Sequence, residues 1–262
     1  MTLIFAHRGS AGTHPENTMS AFKEAARVGA DGIETDVQLS KDGEVVIIHD
    51  EKLDRTTNAS GYVKDRTLKE LKTLNASATH KGNFGEEKIP TLEELFIWLN
   101  DNQLFCNIEL KNTVFLYPGL EEKVIRLIRT YEMEERIILS SFNHYSLVNC
   151  HRLAPELETA PLYRDGLYMP WIYAKAIGGS AIHPNIRAAP DALIQSSVSM
   201  GVPVRPYTIN EETEMKRLFK LGCSGIITDF PQSSGTDKRR IEVKIKKEGA
   251  IQGTFSDYRQ TR

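Results

Sequence analysis

Short runs of apolar and β-branched residues recur along this chain, and between most of them lie longer segments whose apolar residues repeat every three or four positions. The first pattern predicts buried strands and the second amphipathic helices. Strands are expected over 3–6, 32–39, 104–110, 136–140, 158–162, 180–183, 202–207 and 225–229. Residues 45–48 extend the second of these as a hairpin through the turn Lys41-Asp42-Gly43. Helices are expected over 20–28, 91–100, 118–131, 144–154, 169–177, 190–200 and 211–221. Gly29 sits where a helix would close, and Thr91 with Glu94 forms a capping-box pattern. Residues 51–90 break the rhythm and read as an excursion from the main body.

Strand followed by helix, repeated, argues for parallel strands with helical crossovers. Eight strand units is the number that closes a (β/α)₈ TIM barrel. An open, doubly wound sheet uses the same alternation, and polar residues decide between the two. His7, Glu34 with Asp36, His49, Glu109 with Lys111, and His183 stand where successive strands end. In a barrel these ends converge on one mouth, whereas an open sheet would spread them along an edge. The expected organisation is a barrel over 1–231, with its insertion at about 51–90, and a basic tail over 232–262. The tail has eight Lys and Arg against four Asp and Glu.

Composition changes this picture little. The chain has 262 residues, 40% hydrophobic and 26% charged, which suits one barrel-sized core. No stretch approaches the roughly 20 apolar residues of a membrane span, and the start turns polar at His7, so a cytoplasmic protein is expected. A net charge of −2 gives no reason to expect a nucleic-acid partner. Cys106, Cys150 and Cys223, odd in number and widely spaced, are expected to be reduced packing residues.

The strand ends carry the candidate chemistry. Side chains two apart on a strand share a face, so Glu34 and Asp36 point together into the barrel, as do Asn107, Glu109 and Lys111. Three acids held together repel one another unless a cation or a proton compensates them; a hard divalent ion is the simplest remedy, and oxygen-only ligation favours Mg²⁺ or Ca²⁺. His7-Arg8-Gly9 follows the first strand and suits a phosphate: a proton carrier, a fork of donors and a backbone that permits close approach. His49-Asp50 supplies the second titratable group that acid–base cleavage of a diester requires. Glu16 is a further candidate for the site, and Asn17 a candidate helix cap. His183 is a candidate for lining the mouth, and Phe115, Tyr117, Tyr163, Tyr168 and Trp171 for an apolar wall.

His7-Arg8-Gly9, Pro15-Glu16-Asn17-Thr18, Glu34-x-Asp36-Val37, His49-Asp50-x-x-Leu53-Asp54-Arg55-Thr56-Thr57, Glu109-Leu110-Lys111 and the closing Gly225–Pro231 stretch occur in this order. The series resembles the glycerophosphodiester phosphodiesterases over residues 3–231. The resemblance implies a metal on Glu34, Asp36 and Glu109, and an acid–base pair of His7 and His49. It also implies substrate contacts from Arg8 and Lys111, with Tyr207, which stands where the family often has Trp, bordering the alcohol pocket. The implied reaction releases sn-glycerol 3-phosphate and an alcohol from a small glycerophosphodiester. Rival readings are a phospholipase-like enzyme acting on lysophospholipids or lipid head groups, and a non-catalytic barrel that binds phosphorylated ligands.

Overall fold

All eight residues of β2 (Gly32–Leu39) are buried, so both faces of this strand meet protein. That burial marks a central parallel strand with helices outside and packed side chains within. The structure, a computed structural model, describes residues 2–233. β1 (Leu3–Ala6) pairs parallel with β2 and with β8 (Gly225–Thr228). On its other side β2 pairs with β4 (Phe105–Leu110), followed by β5 (Ile137–Ser141), β6 (Glu158–Tyr163) and the two-residue β7 (His183–Pro184). β3 (Val45–Ile47) is the antiparallel hairpin partner of β2. Gly43 in the joining turn has φ +83, a conformation that favours glycine.

The ring closes through 204–207, which were expected within a regular strand. Val204 and Tyr207 form isolated parallel bridges to Ile182 and Asn185, while Gly225 and Ile227 donate backbone N–H bonds to Val204 and Pro206. Pro203 and Pro206 lack N–H donors, so this strand cannot sustain a full ladder. Pro184 shortens β7 for the same reason.

The helices lie near their expected positions: α1 (Met19–Arg27), α3 (Leu92–Leu99), α4 (Leu120–Thr130), α5 (His144–Leu153), α6 (Pro170–Ala176), α7 (Asp191–Ser199) and α8 (Glu212–Lys220). Thr91 and Glu94 make both bonds of the capping box at α3. Outward residues Ile33, Val37, Ile108 and Leu110 pack with Phe96, Val124 and Ile128 of the helices. Inside the barrel, Phe5, Ile138, Ala160, Ala181 and Ile227 fill the floor beneath the acids.

The excursion contains α2 (Leu68–Leu71), capped by Thr67 and Glu70, and a core of Leu53, Val63, Leu71 and Ile89 under Val46 and Ile48. It is thus packed onto the β2–β3 hairpin. All three cysteines are free and buried, and burial pushes each thiol above its ordinary value. Among the described residues no helix is long and apolar enough to cross a membrane. Most of the expected basic tail lies outside the described residues, and with it residues 241–246, whose sequence alternates as an edge strand's would.

Candidate active site

Alternation along β2 and β4 builds the centre of the site. Asp36 and Glu109 are register partners on adjacent strands, and Glu34 lies two residues back on β2. All three acids are buried, and each offers an oxygen within 4.8 Å of the others. Burial and the charge of Asp36 raise Glu34, and burial with Asp36 also raises Glu109. Burial works against the charged form of Asp36 as well, but Arg8, His49 and Lys111 outweigh it and hold this carboxyl low. Its Oδ1 is buried without a hydrogen-bond partner. An oxygen-only donor set with an unpaired buried carboxylate oxygen fits a hard divalent cation.

The loop after β1 turns sharply over these acids. Arg8 takes the left-handed conformation, φ +51, and its N–H donates to Glu34 Oε2 at 2.9 Å. Gly9, φ +79, makes the turn possible, because a Cβ there would lie 2.6 Å from the Ala21 backbone. The Arg8 guanidinium donates to Glu16 at 2.8 Å and places Nε 3.5 Å from Asp36. Asn17, expected as a cap, instead donates to Asp36 Oδ2 and accepts from Thr35, while Thr18 caps α1.

Two histidines flank the acids, each tied to a carboxylate through Nδ1. His7 pairs with Asp229 at 2.6 Å, and its Nε2 stands 3.9 Å from Glu34. Burial disfavours the charged imidazole of His7, yet the Asp229 bond and the Glu34 charge raise it above its ordinary value. Asn210 donates to the second oxygen of Asp229. His49 pairs with Asp50 at 2.6 Å and meets Lys111 Nζ at 3.2 Å through Nε2. An ammonium only donates, so this contact requires neutral His49 with its proton on Nδ1, facing Asp50. Lys111 also donates to Glu109 at 2.8 Å. Behind His49, Gln38 donates to the carbonyls of Ile48, His49 and Asp50 and accepts from Tyr117.

The structure therefore brings His7, Arg8, Glu34, Asp36, His49, Glu109 and Lys111 together. Tyr207 stands beside them: its hydroxyl donates to the Tyr163 carbonyl, and burial, joined by the charge of Glu109, raises it above its ordinary value. His183 departs from expectation. Its parity is inward, but it is fully buried, with Nε2 3.4 Å from Arg205, which pairs with Glu158 at the start of β6. Those contacts run towards the amino-terminal end of the barrel, and burial keeps the ring neutral by pushing it well below its ordinary value. Tyr117 and Tyr163 are buried instead of forming a loop wall, whereas Tyr168 is exposed.

Sequence reasoning missed Asp229 as a partner of His7. The signal was present, because 225, 227 and 229 share one parity and β8 borders β1 once the ring closes. It also missed Arg55 as the link between Glu16 and Asp50.

A profile of the glycerophosphoryl diester phosphodiesterase family matches residues 7–233. The chain is similar to a glycerophosphodiester phosphodiesterase of Caldanaerobacter subterraneus subsp. tengcongensis, 47% identical over 232 residues, covering 88% of this chain and 96% of that one. It is similar to one of Bacillus altitudinis, 45% identical over 251 residues, covering 95% and 99%. Among solved structures, it is similar to an Oleispira antarctica phosphodiesterase in complex with the product sn-glycerol-3-phosphate. That match has a TM-score of 0.85 and 28% identity, and covers 90% of this chain and 96% of that one.

Proposed function

Because the chain belongs to the glycerophosphoryl diester phosphodiesterase family, we propose that it hydrolyses small glycerophosphodiesters to sn-glycerol 3-phosphate and an alcohol at the barrel mouth. The observation that carries the mechanism is the pair of carboxylate-held histidines on either side of three acids, with Arg8 and Lys111 between them.

Arg8 and Lys111 receive the phosphate. Arg8 has one amine engaged by Glu16, which leaves the rest of its fork for a non-bridging oxygen, and Lys111 adds a mobile ammonium. Glu34, Asp36 and Glu109 would hold a divalent cation, Mg²⁺ or Ca²⁺, which would supply positive charge to the transition state. His49, neutral, takes the proton of the attacking oxygen on Nε2, where that oxygen replaces Lys111 as the partner, and Asp50 steadies the imidazolium that forms. His7, whose charged form Asp229 favours, gives its proton to the departing alkoxide. The attacking oxygen is either water or the neighbouring glycerol hydroxyl.

Phosphorus NMR of a reaction with glycerophosphocholine tests both the bond cleaved and the nucleophile. Glycerol 3-phosphate is the expected final product, with a transient cyclic phosphate if the hydroxyl attacks. Phosphocholine as the product would overturn the proposed regiochemistry.

One observation favours lipid diesters as a second substrate class. Val114, Leu116, Tyr145, Tyr168 and Ile172 are all exposed, and they lie on segments that follow β4, β5 and β6, the face that carries the site. Exposed apolar and aromatic side chains grouped on one face suit an interface. On this reading the protein floats with phosphatidylcholine vesicles and Leu116→Ser with Tyr168→Ser releases it; an unbound wild-type chain would remove the reading.

A further inference from the structure

The acid–base machinery described above uses His49 and Asp50 but leaves two charged side chains beside them without a role. Glu16, from the loop after β1, and Arg55, from the excursion, complete an unbroken chain of ion pairs. It runs from Arg8 to Glu16 at 2.8 Å, to Arg55 at 2.6 Å, to Asp50 at 2.6 Å and to His49 at 2.6 Å. The residues meant to hold the phosphate and to take the proton are thus ends of one strut, whose middle comes from outside the barrel.

We propose that Arg55, with Glu16, is a positioning residue: it fixes the Asp50 carboxylate and thereby the reactive nitrogen of His49, making the excursion part of the catalytic apparatus. The inference rests on the reading of His49 as a proton carrier.

Four of the five N–H donors of the guanidinium are engaged. Nε and Nη2 donate to the two oxygens of Asp50 at 2.6 and 3.0 Å, while Nη1 and Nη2 donate to the two oxygens of Glu16 at 2.6 and 2.7 Å. Only a planar fork spans two carboxylates in this way, so Lys cannot substitute. Asp50 Oδ1 is shared between Arg55 and His49 Nδ1, so the plane of the carboxylate is set by both. Without Arg55, Asp50 is free to rotate and the imbalance carries the imidazole with it. The backbone of Arg55 is itself anchored, because its carbonyl accepts from Thr79 at 2.6 Å and neighbouring Leu53 is in the excursion's core.

The test measures glycerophosphocholine turnover by the full chain as wild type, Arg55→Gln, Arg55→Ala and His49→Ala, with thermal unfolding of each as a folding control. Arg55→Gln is expected to lower kcat about 10- to 100-fold, the scale of a roughly 1 Å misplacement, with KM changed less than about threefold. Millimolar guanidinium restores part of the turnover of Arg55→Ala, which a generally loosened fold would not allow. If His49→Ala abolishes turnover while Arg55→Gln keeps kcat within about twofold and guanidinium leaves Arg55→Ala unchanged, the positioning role is overturned and the mechanism stands. If His49→Ala remains active, the reading beneath it falls, and the strut with it.

Discussion

Replacing either histidine by alanine is expected to lower kcat on glycerophosphocholine by about 10²–10⁴-fold each, the usual contribution of a positioned proton carrier. The expectation follows from the matched environments of His7 and His49. Each gives Nδ1 to a carboxylate, Asp229 or Asp50, and each turns Nε2 to a residue at the mouth, His7 to Glu34 at 3.9 Å and His49 to Lys111 at 3.2 Å. A carboxylate on one ring nitrogen sets the tautomer and stabilises the charged ring, which prepares the other nitrogen for proton transfer. Both side chains stand at strand ends and are partly exposed, so the loss appears in turnover and leaves secondary structure and cooperative unfolding intact. The double variant loses less than the product of the single losses, since the two act on one transition state. Near wild-type kcat in either single variant would remove that residue from the mechanism.

The second large effect concerns the acids. Glu34→Gln is expected to abolish the rise in unfolding temperature that Mg²⁺ or Ca²⁺ produces in the wild type, while changing the unfolding temperature in EDTA little. Burial and the charge of Asp36 already favour the protonated form of Glu34, so a neutral amide resembles its state without a cation. The amide oxygen can still accept from the Arg8 N–H. For the wild type, a cation at 100 times its Kd would add about 2.7 kcal/mol of stability, a shift of several degrees. Because Glu34 must lose a proton to ligate, cation affinity rises with pH as that raised group ionises. Turnover of the variant falls by about 10²-fold or more, equivalent to about 3 kcal/mol of transition-state charge stabilisation. Titration calorimetry measures the affinity, and wild-type cation affinity in Glu34→Gln would exclude Glu34 as a ligand.

Parity along buried strands made the centre of the site legible in the sequence. Glu34 and Asp36 stand at a spacing of two in a strand that also carries Ile33, Val37 and Leu39, and Glu109 with Lys111 repeats the device, so their common face follows from the pleat alone. Elements held by local signals were equally legible, as at Thr91 and Glu94, whose capping box needs only four residues. What depended on ring closure was not. Asp229 meets His7 because β8 lies against β1, 222 residues away in sequence. Arg55 reaches Asp50 and Glu16 only once the excursion has packed onto the hairpin. At His183, period two gives the face of the strand but not the direction along the barrel, and Arg205 decides the latter. Prolines at 203 and 206 kept strand geometry in the pattern while removing the donors a ladder needs.

The central claim is that one mouth combines a cation held by three acids with two proton carriers to cleave a glycerophosphodiester. Its most direct test is glycerol 3-phosphate release from glycerophosphocholine, and from analogues with other head groups, read through a coupled dehydrogenase. The protein is first stripped with EDTA and then resupplied with Mg²⁺ or Ca²⁺. The account predicts no release from the stripped protein and full recovery on resupply with one of these ions. Equal turnover before and after stripping, or no turnover on any head group with either ion present, would contradict it.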